Sequence, residues 1–156
     1  MFDDLRDLYQ EVILDHGKNP RNFGKPDEFN RHARGDNPMC GDKIAVYLLL
    51  DQDGTVRDAR FDGRGCAISQ ASASLMTEIL KGKTAAEAEA LFGHFHDMCT
   101  KDDDQHGDHG HLDEEALEKL QVLSGVREFP MRVKCATLAW HTMHAAMHGE
   151  EKTSTE

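Results

Sequence analysis

The order of the apolar patterns along this chain constrains its fold most strongly, because two strand-like segments lie between helix-like ones. Residues 5–13 carry apolar side chains at helical spacing, and the helix that they predict stops near Gly17. Glycine, proline, asparagine and charged residues then predict a loop over 17–38. Residues 44–50 are mostly apolar, and residues 55–61 alternate between apolar and polar side chains. With the turn residues between them, these two segments predict a hairpin.

Helical patterns follow the predicted hairpin. Apolar residues over 68–79 lie on one helical stripe, which Gly82 ends. Thr84 and Glu87 have the spacing of a capping box and predict a further helix that runs to about Phe92.

The rest of the chain divides into a polar segment and two more helices. Residues 93–111 are rich in histidine and aspartate and predict a surface loop, and residues 112–123 predict a short helix. Pro130 suits the first turn of a last helix, which ends at Gly149. The polar residues 150–156 predict a disordered tail.

Strands and helices are thus segregated along the chain, which is typical of the α+β class. A chain of 156 residues has the size of one ordinary domain. We predict a small antiparallel sheet packed with helices in a single domain over residues 1–149, with a polar insertion around 93–111.

The charge balance excludes several classes of partner. A formal net charge of -11 repels the phosphates of nucleic acids and anionic membrane surfaces alike. No apolar run has the length of a membrane span, and the N-terminal residues lack the basic start of a signal peptide. The expected compartment is the cytoplasm, where thiols stay reduced and cysteines serve metal or sulfur chemistry more often than disulfides.

Three of the four cysteines stand at the ends of predicted elements. Cys40 precedes a strand, Cys66 lies between a strand and a helix, and Cys135 lies near the start of the last helix. Asp42 follows Cys40 by two residues, and Gly41 between them allows a sharp turn. Three thiolates and one carboxylate form a tetrahedral set suited to one zinc ion, and thiolates also suit an iron–sulfur cluster. Burial of Cys66 and Cys135 as core thiols remains an alternative.

Neighbouring residues support a negatively charged metal site. Gly63 and Gly65 allow the backbone to approach the site closely. Arg132 lies three residues before Cys135, on the same helical face, and its cation offsets part of the excess negative charge. Lys134 is a second cation close to Cys135 in sequence.

Other cysteine and histidine positions have simpler interpretations. Cys99 lies in the polar segment and is expected to be an exposed, spare thiol. His141, His144 and His148 are expected to be surface positions on the last helix rather than metal ligands. The polar segment also contains histidines for which a solvated loop is favoured over a metal site: His94, His96, His106, His109 and His111.

Four segments of the chain look like the SufU family, whose members are similar in fold to IscU and to the N-terminal part of NifU. They are LYQEVILDHGKNPRNFG near the start, NPMCGD at 37–42, GRGCAISQASASLM at 63–76 and FPMRVKCATLAW at 129–140. The resemblance extends from about Leu5 to His148. It implies that Cys40, Asp42, Cys66 and Cys135 are the zinc ligands.

The resemblance also implies an activity in iron–sulfur cluster assembly. Cys40 would accept persulfide sulfur from a SufS-type, pyridoxal-phosphate-dependent cysteine desulfurase, and the sulfur would pass to downstream assembly proteins. Arg132 would pair with the persulfide or with Asp42. A scaffold that binds iron and an iron–sulfur cluster through the same ligands is the alternative. Lys134 stands where IscU-type proteins have a histidine, and the segment before Cys135 is longer, which favours sulfur transfer.

Overall fold

The structure is a computed structural model that describes residues 2–38, 41–100, 114–150 and 152–154. Within these residues the chain forms five α-helices, a 3-10 helix and a four-stranded sheet. In chain order the elements are α1 (Phe2–Lys18), β1 (Arg31–Asn37), β2 (Asp42–Leu50), β3 (Val56–Arg64), α2 (Ala67–Leu80), α3 (Ala85–Thr100), α4 (Glu114–Leu120), the 3-10 helix (Gln121–Glu128), α5 (Pro130–Met147) and β4 (Lys152–Ser154). None of the described helices is both long and apolar enough to cross a bilayer.

The sheet has the order β3-β2-β1-β4. β2 pairs antiparallel with β3, which confirms the predicted hairpin, and also with β1, where Asn37 lies opposite Asp42. β4 pairs parallel with β1, so the sheet is mixed rather than wholly antiparallel. The α+β class is confirmed.

Helices α2 and α5 pack against the sheet and enclose the core. The largest fully buried side chains come from the sheet and from the helices around it, and Trp140 of α5 lies 5.1 Å, between ring centroids, from Phe95 of α3. Thr84 and Glu87 exchange hydrogen bonds of 3.2 Å at the start of α3, which confirms the capping box. Helices from both halves of the chain therefore share one apolar core with the sheet.

Strand β1 lies inside the segment 17–38, for which a loop was predicted. Its inward positions include Ala33 and Gly35, whose small side chains give no apolar alternation. A Cβ atom on Gly35 would lie 3.1 Å from Leu138 Cδ1, so α5 crosses this strand too closely for a larger residue. The strand was missed because its close packing against α5 requires small residues, whereas strands are recognised in a sequence by β-branched and aromatic residues.

Helix α3 continues to Thr100, so the expected loop at 93–111 is wrong for residues 93–100, and residues 101–111 lie outside the described part of the chain. Leu91, Phe95 and Met98 have helical spacing and are buried, although histidines separate them. Cys99 is only 1% exposed, which corrects the expectation of an exposed thiol.

The chain differs from prediction in two further places. Lys152–Ser154, in the segment 150–156 predicted to be disordered, forms β4 against β1. The short helix predicted over 112–123 is α4 followed by the 3-10 helix, and residues 112–113 lie outside the described part. Backbone pairing, which needs no apolar side chain, explains why composition alone missed β4.

Candidate metal centre

Three of the predicted ligands converge at one end of the sheet. Asp42 is the first residue of β2, Cys66 immediately precedes α2, and Cys135 lies in the second turn of α5. Their ligand atoms all lie within 4.8 Å of one another. Asp42 and Cys135 are fully buried, and Cys66 is partly exposed. Residues far apart in sequence thus form one cluster that is open to solvent on the Cys66 side.

The Asp42 carboxylate is held at both oxygens. The backbone N–H of Cys66 donates to Oδ1 at 3.0 Å, and the side-chain amide of Asn37 donates to Oδ2 at 3.2 Å. Each oxygen retains a lone pair that can bind a metal ion. A fully buried carboxylate with two neutral donors favours a nearby cation, because burial of an isolated charge is costly.

Cys66 stands at the N-terminus of α2. Cys66 is the N-cap of α2, with extended φ and ψ angles of -70° and 169°, and its Sγ accepts a hydrogen bond from the Ser69 N–H at 3.5 Å. The N-terminus of a helix carries partial positive charge, so α2 directs positive potential at the Cys66 sulfur.

Glycines let the end of β3 and the start of α2 approach β2 closely. A Cβ atom on Gly65 would lie 2.6 Å from Asp42 Oδ1, a separation that real Cβ atoms essentially never show. Gly63 has a φ of +131°, and a Cβ atom there would lie 2.8 Å from Ile44 Cα. The expected close approach of the backbone to the site is confirmed at Gly65, whereas Gly63 lies against the backbone of Lys43 and Ile44 in β2.

Cys135 and Arg132 complete the described surroundings of the site. Cys135 Sγ lies 3.7 Å from the side-chain nitrogen of Asn37 and 3.6 Å from the Met131 carbonyl oxygen. The charge of Cys66 and a hydrogen bond to Cys135 raise the pKa of Arg132 above its ordinary value. The exposed Arg132 guanidinium therefore lies beside both thiols, as its helical spacing from Cys135 predicted.

The fourth predicted ligand, Cys40, lies outside the described residues, so its part in the site stays a prediction. The residues around it form the connection from β1 to β2. Gly41 has a φ of +72°, and its N–H donates to the Asn37 carbonyl at 2.9 Å. The sharp turn expected at Gly41 is confirmed, and Cys40 follows Asn37 by three residues and precedes Asp42 by two.

Asn37 is a residue of the site that sequence reasoning missed. Its side chain is fully buried, and its amide nitrogen lies within hydrogen-bonding distance of both Asp42 and Cys135. Its Oδ1 atom has no hydrogen-bond partner among the described residues. Little in the sequence signals it, because its place beside Asp42 depends on the pairing of β1, a strand that was not predicted.

The donor set fits zinc. Two sulfur donors and one carboxylate oxygen are ligands that zinc prefers, and all three ligand atoms lie within 4.8 Å of one another. Arg132 beside the thiols supplies the compensating charge.

Comparison with known proteins agrees with this geometry. The family described as NifU-like N terminal domain matches residues 8–136. The zinc-dependent sulfurtransferase SufU of Bacillus subtilis is 44% identical over 148 residues, which are 94% of each chain. The iron–sulfur cluster assembly scaffold protein IscU of Thermotoga maritima is 38% identical over 140 residues, which are 90% of this chain and 92% of that one.

Solved structures agree as well. The crystal structure of the N-terminal part of a nitrogen-fixing NifU-like protein from Brucella abortus has a TM-score of 0.77 and 25% identity, over 92% of this chain and 94% of that chain. The four sequence segments, the fold and the relatives thus point to one family. The chain belongs to the family of NifU-like N-terminal domains, together with SufU and IscU proteins.

Proposed function

We propose that this protein is a zinc-dependent sulfurtransferase of iron–sulfur cluster assembly. It accepts sulfur on Cys40 from a SufS-type, pyridoxal-phosphate-dependent cysteine desulfurase and passes that sulfur to downstream assembly proteins. The observation that carries the proposal is the convergence of Asp42, Cys66 and Cys135 in a chain 44% identical to a zinc-dependent sulfurtransferase.

The proposed zinc ligands are Cys40, Asp42, Cys66 and Cys135. When bound, zinc would keep its cysteine ligands deprotonated at neutral pH without redox activity of its own. The hydrogen bonds to Asp42 support this assignment, because they orient the carboxylate while leaving lone pairs for a metal.

Cys40 is the proposed sulfur acceptor. Its thiolate attacks the terminal sulfur of the desulfurase persulfide, and the sulfur–sulfur bond of the donor breaks. A new sulfur–sulfur bond forms on Cys40, and the donor cysteine leaves as a thiolate, so the transfer involves no net oxidation. Arg132 is proposed to stabilise the anionic persulfide; its position beside two thiols supports that role.

The scaffold function is the second candidate, supported by the 38% identity to an IscU scaffold protein. A scaffold would use the same four ligands, but it would hold an assembled iron–sulfur cluster instead of carrying a persulfide. Lys134 precedes Cys135 in this chain and offers no imidazole ligand for a cluster.

The test is the rate at which the desulfurase converts cysteine to alanine in the presence of wild-type protein, Cys40→Ala and Cys99→Ala. Cys99 is a buried thiol of α3 outside the metal cluster and serves as the matched control. We expect Cys40→Ala to abolish stimulation of turnover and sulfur loading, and Cys99→Ala to retain both. Normal sulfur loading of Cys40→Ala would refute the assignment of the acceptor.

A further inference from the structure

A second group of potential metal ligands lies on the face where α3 and α5 meet. Glu89 belongs to α3, His144 to α5, and His148 is the C-cap of α5. Their ligand atoms all lie within 4.8 Å of one another. His148 Nε2 lies 2.5 Å from Glu89 Oε1, and His144 Nε2 lies 3.8 Å from the same oxygen. Both imidazoles therefore direct the same ring nitrogen at one carboxylate oxygen.

The two histidines are held in this arrangement by helix geometry and packing. They are four residues apart, so they share one face of α5, and their ring centroids are 4.4 Å apart. Phe92 lies one turn after Glu89 on α3, and its ring centroid is 5.3 Å from that of His144. The aromatic contact restricts rotation of the His144 ring. Part of the entropy cost of ordering this metal ligand is therefore met before an ion binds.

The Glu89 carboxylate faces two imidazoles rather than one. It is hydrogen-bonded to His148, and His144 Nε2 approaches the same oxygen at 3.8 Å. Two imidazole nitrogens and one carboxylate oxygen are a ligand set for zinc and neighbouring first-row divalent metals. A fourth coordination position would remain for water.

We propose that Glu89, His144 and His148 form a second zinc-binding site, independent of the cysteine cluster. His144 follows Cys135 by nine residues, which places the two sites about 14 Å apart along the axis of α5. The second site has no thiolate and is largely exposed, so it binds zinc more weakly than the cysteine cluster and exchanges it with solvent. The net charge of -11 favours the approach of a cation.

The test is calorimetric titration of metal-free, reduced protein with zinc, which resolves a tight and a weaker binding step. Glu89→Gln keeps the shape and a polar oxygen but removes the anion, and His144→Gln and His148→Gln each remove an imidazole. Glu118→Gln, at an exposed glutamate of α4 outside both ligand groups, is the matched control. A triple variant, His106→Gln with His109→Gln and His111→Gln, tests whether the histidine-rich segment after α3 supplies the weaker site instead.

We expect each of the three site variants to weaken the second step by about tenfold or more, because loss of a ligand costs at least as much as loss of an outer-shell partner. The tight step, the circular dichroism spectrum and both controls should be unchanged. A single binding step in wild-type protein, or a second step that only the triple variant removes, would overturn the proposal. Cys66→Ser should remove the tight step alone, so a failure of the cysteine cluster is distinguished from a failure of this site.

Discussion

Substitution of Gly65 tests the metal centre through its geometry alone. Gly65 lies between β3 and α2, and a Cβ atom there would lie 2.6 Å from Asp42 Oδ1 and 3.1 Å from Asp42 Cγ. Ordinary van der Waals contact begins at 3.4 Å. In Gly65→Ala the carboxylate must therefore move by about 0.8 Å, because the buried site leaves it little room to accept the methyl group in place.

That displacement acts on a hydrogen bond that orients the ligand. The Cys66 N–H donates to Asp42 Oδ1 at 3.0 Å, and a shift of about 0.8 Å away from it lengthens this bond beyond the hydrogen-bonding range. A hydrogen bond to a charged group contributes about 1.5–3 kcal/mol. If that free energy is lost from the zinc-binding state, zinc affinity falls by roughly ten- to a hundredfold.

The assay is competition for zinc with a chromophoric chelator, with Gly125→Ala as the matched control. A Cβ atom on Gly125, in the 3-10 helix, meets no atom within 4 Å. We expect Gly65→Ala to lose zinc at chelator concentrations that leave wild-type protein and Gly125→Ala loaded. Wild-type zinc affinity in Gly65→Ala would refute the placement of Asp42 against Gly65 and with it the role of Asp42 in holding the ion.

Three further predictions address the residues around the site and the stability of the fold. Asn37→Ala removes the donor to Asp42 Oδ2 and should lower the free energy of unfolding by about 1–3 kcal/mol, measured by urea denaturation; an unchanged midpoint would show that the contact contributes nothing. Burial lowers the pKa of His16 below its ordinary value of 6.5, so the stability that its neutral ring provides is present above that pH and is lost as the pH falls. Urea denaturation between pH 7.5 and 5 should therefore show a shallower loss of stability for His16→Gln than for wild-type protein, and equal slopes would contradict this. Thr84→Ala removes the hydroxyl that makes two hydrogen bonds with Glu87, and it should lower the free energy of unfolding by about 1 kcal/mol, measured by a thermal melt. An unaltered melting temperature would argue against the capping box.

The elements that the sequence predicted are those with local signals. Helix α1, the hairpin of β2 and β3, and the start of α3 follow from apolar spacing, turn residues and capping chemistry, all of which act within a few residues. Strand β1 was missed because its inward residues are small enough to let α5 approach. Strand β4 was missed because its pairing with β1 uses the backbone, which carries no compositional signal.

The sequence predicted the metal-binding side chains of the site but not the residues whose positions depend on tertiary packing. Asp42, Cys66 and Cys135 were identified because they stand at the ends of predicted elements, where sites are usually assembled, and in segments that resemble a known family. The structure brings them together. Asn37 was missed because an asparagine before a proline has an ordinary interpretation as a turn residue, and only the register of β1 against β2 places it beside Asp42. Cys99 was taken for an exposed thiol because its polar neighbours concealed the helical spacing that buries it.

The most direct test of the proposed function is anaerobic native mass spectrometry of the zinc-loaded protein after incubation with its cysteine desulfurase, cysteine and ferrous iron. The sulfur-transfer account predicts a chain that retains one zinc ion and carries added sulfur on Cys40. A chain that has lost zinc and carries an intact iron–sulfur cluster would contradict that account and establish the scaffold function instead.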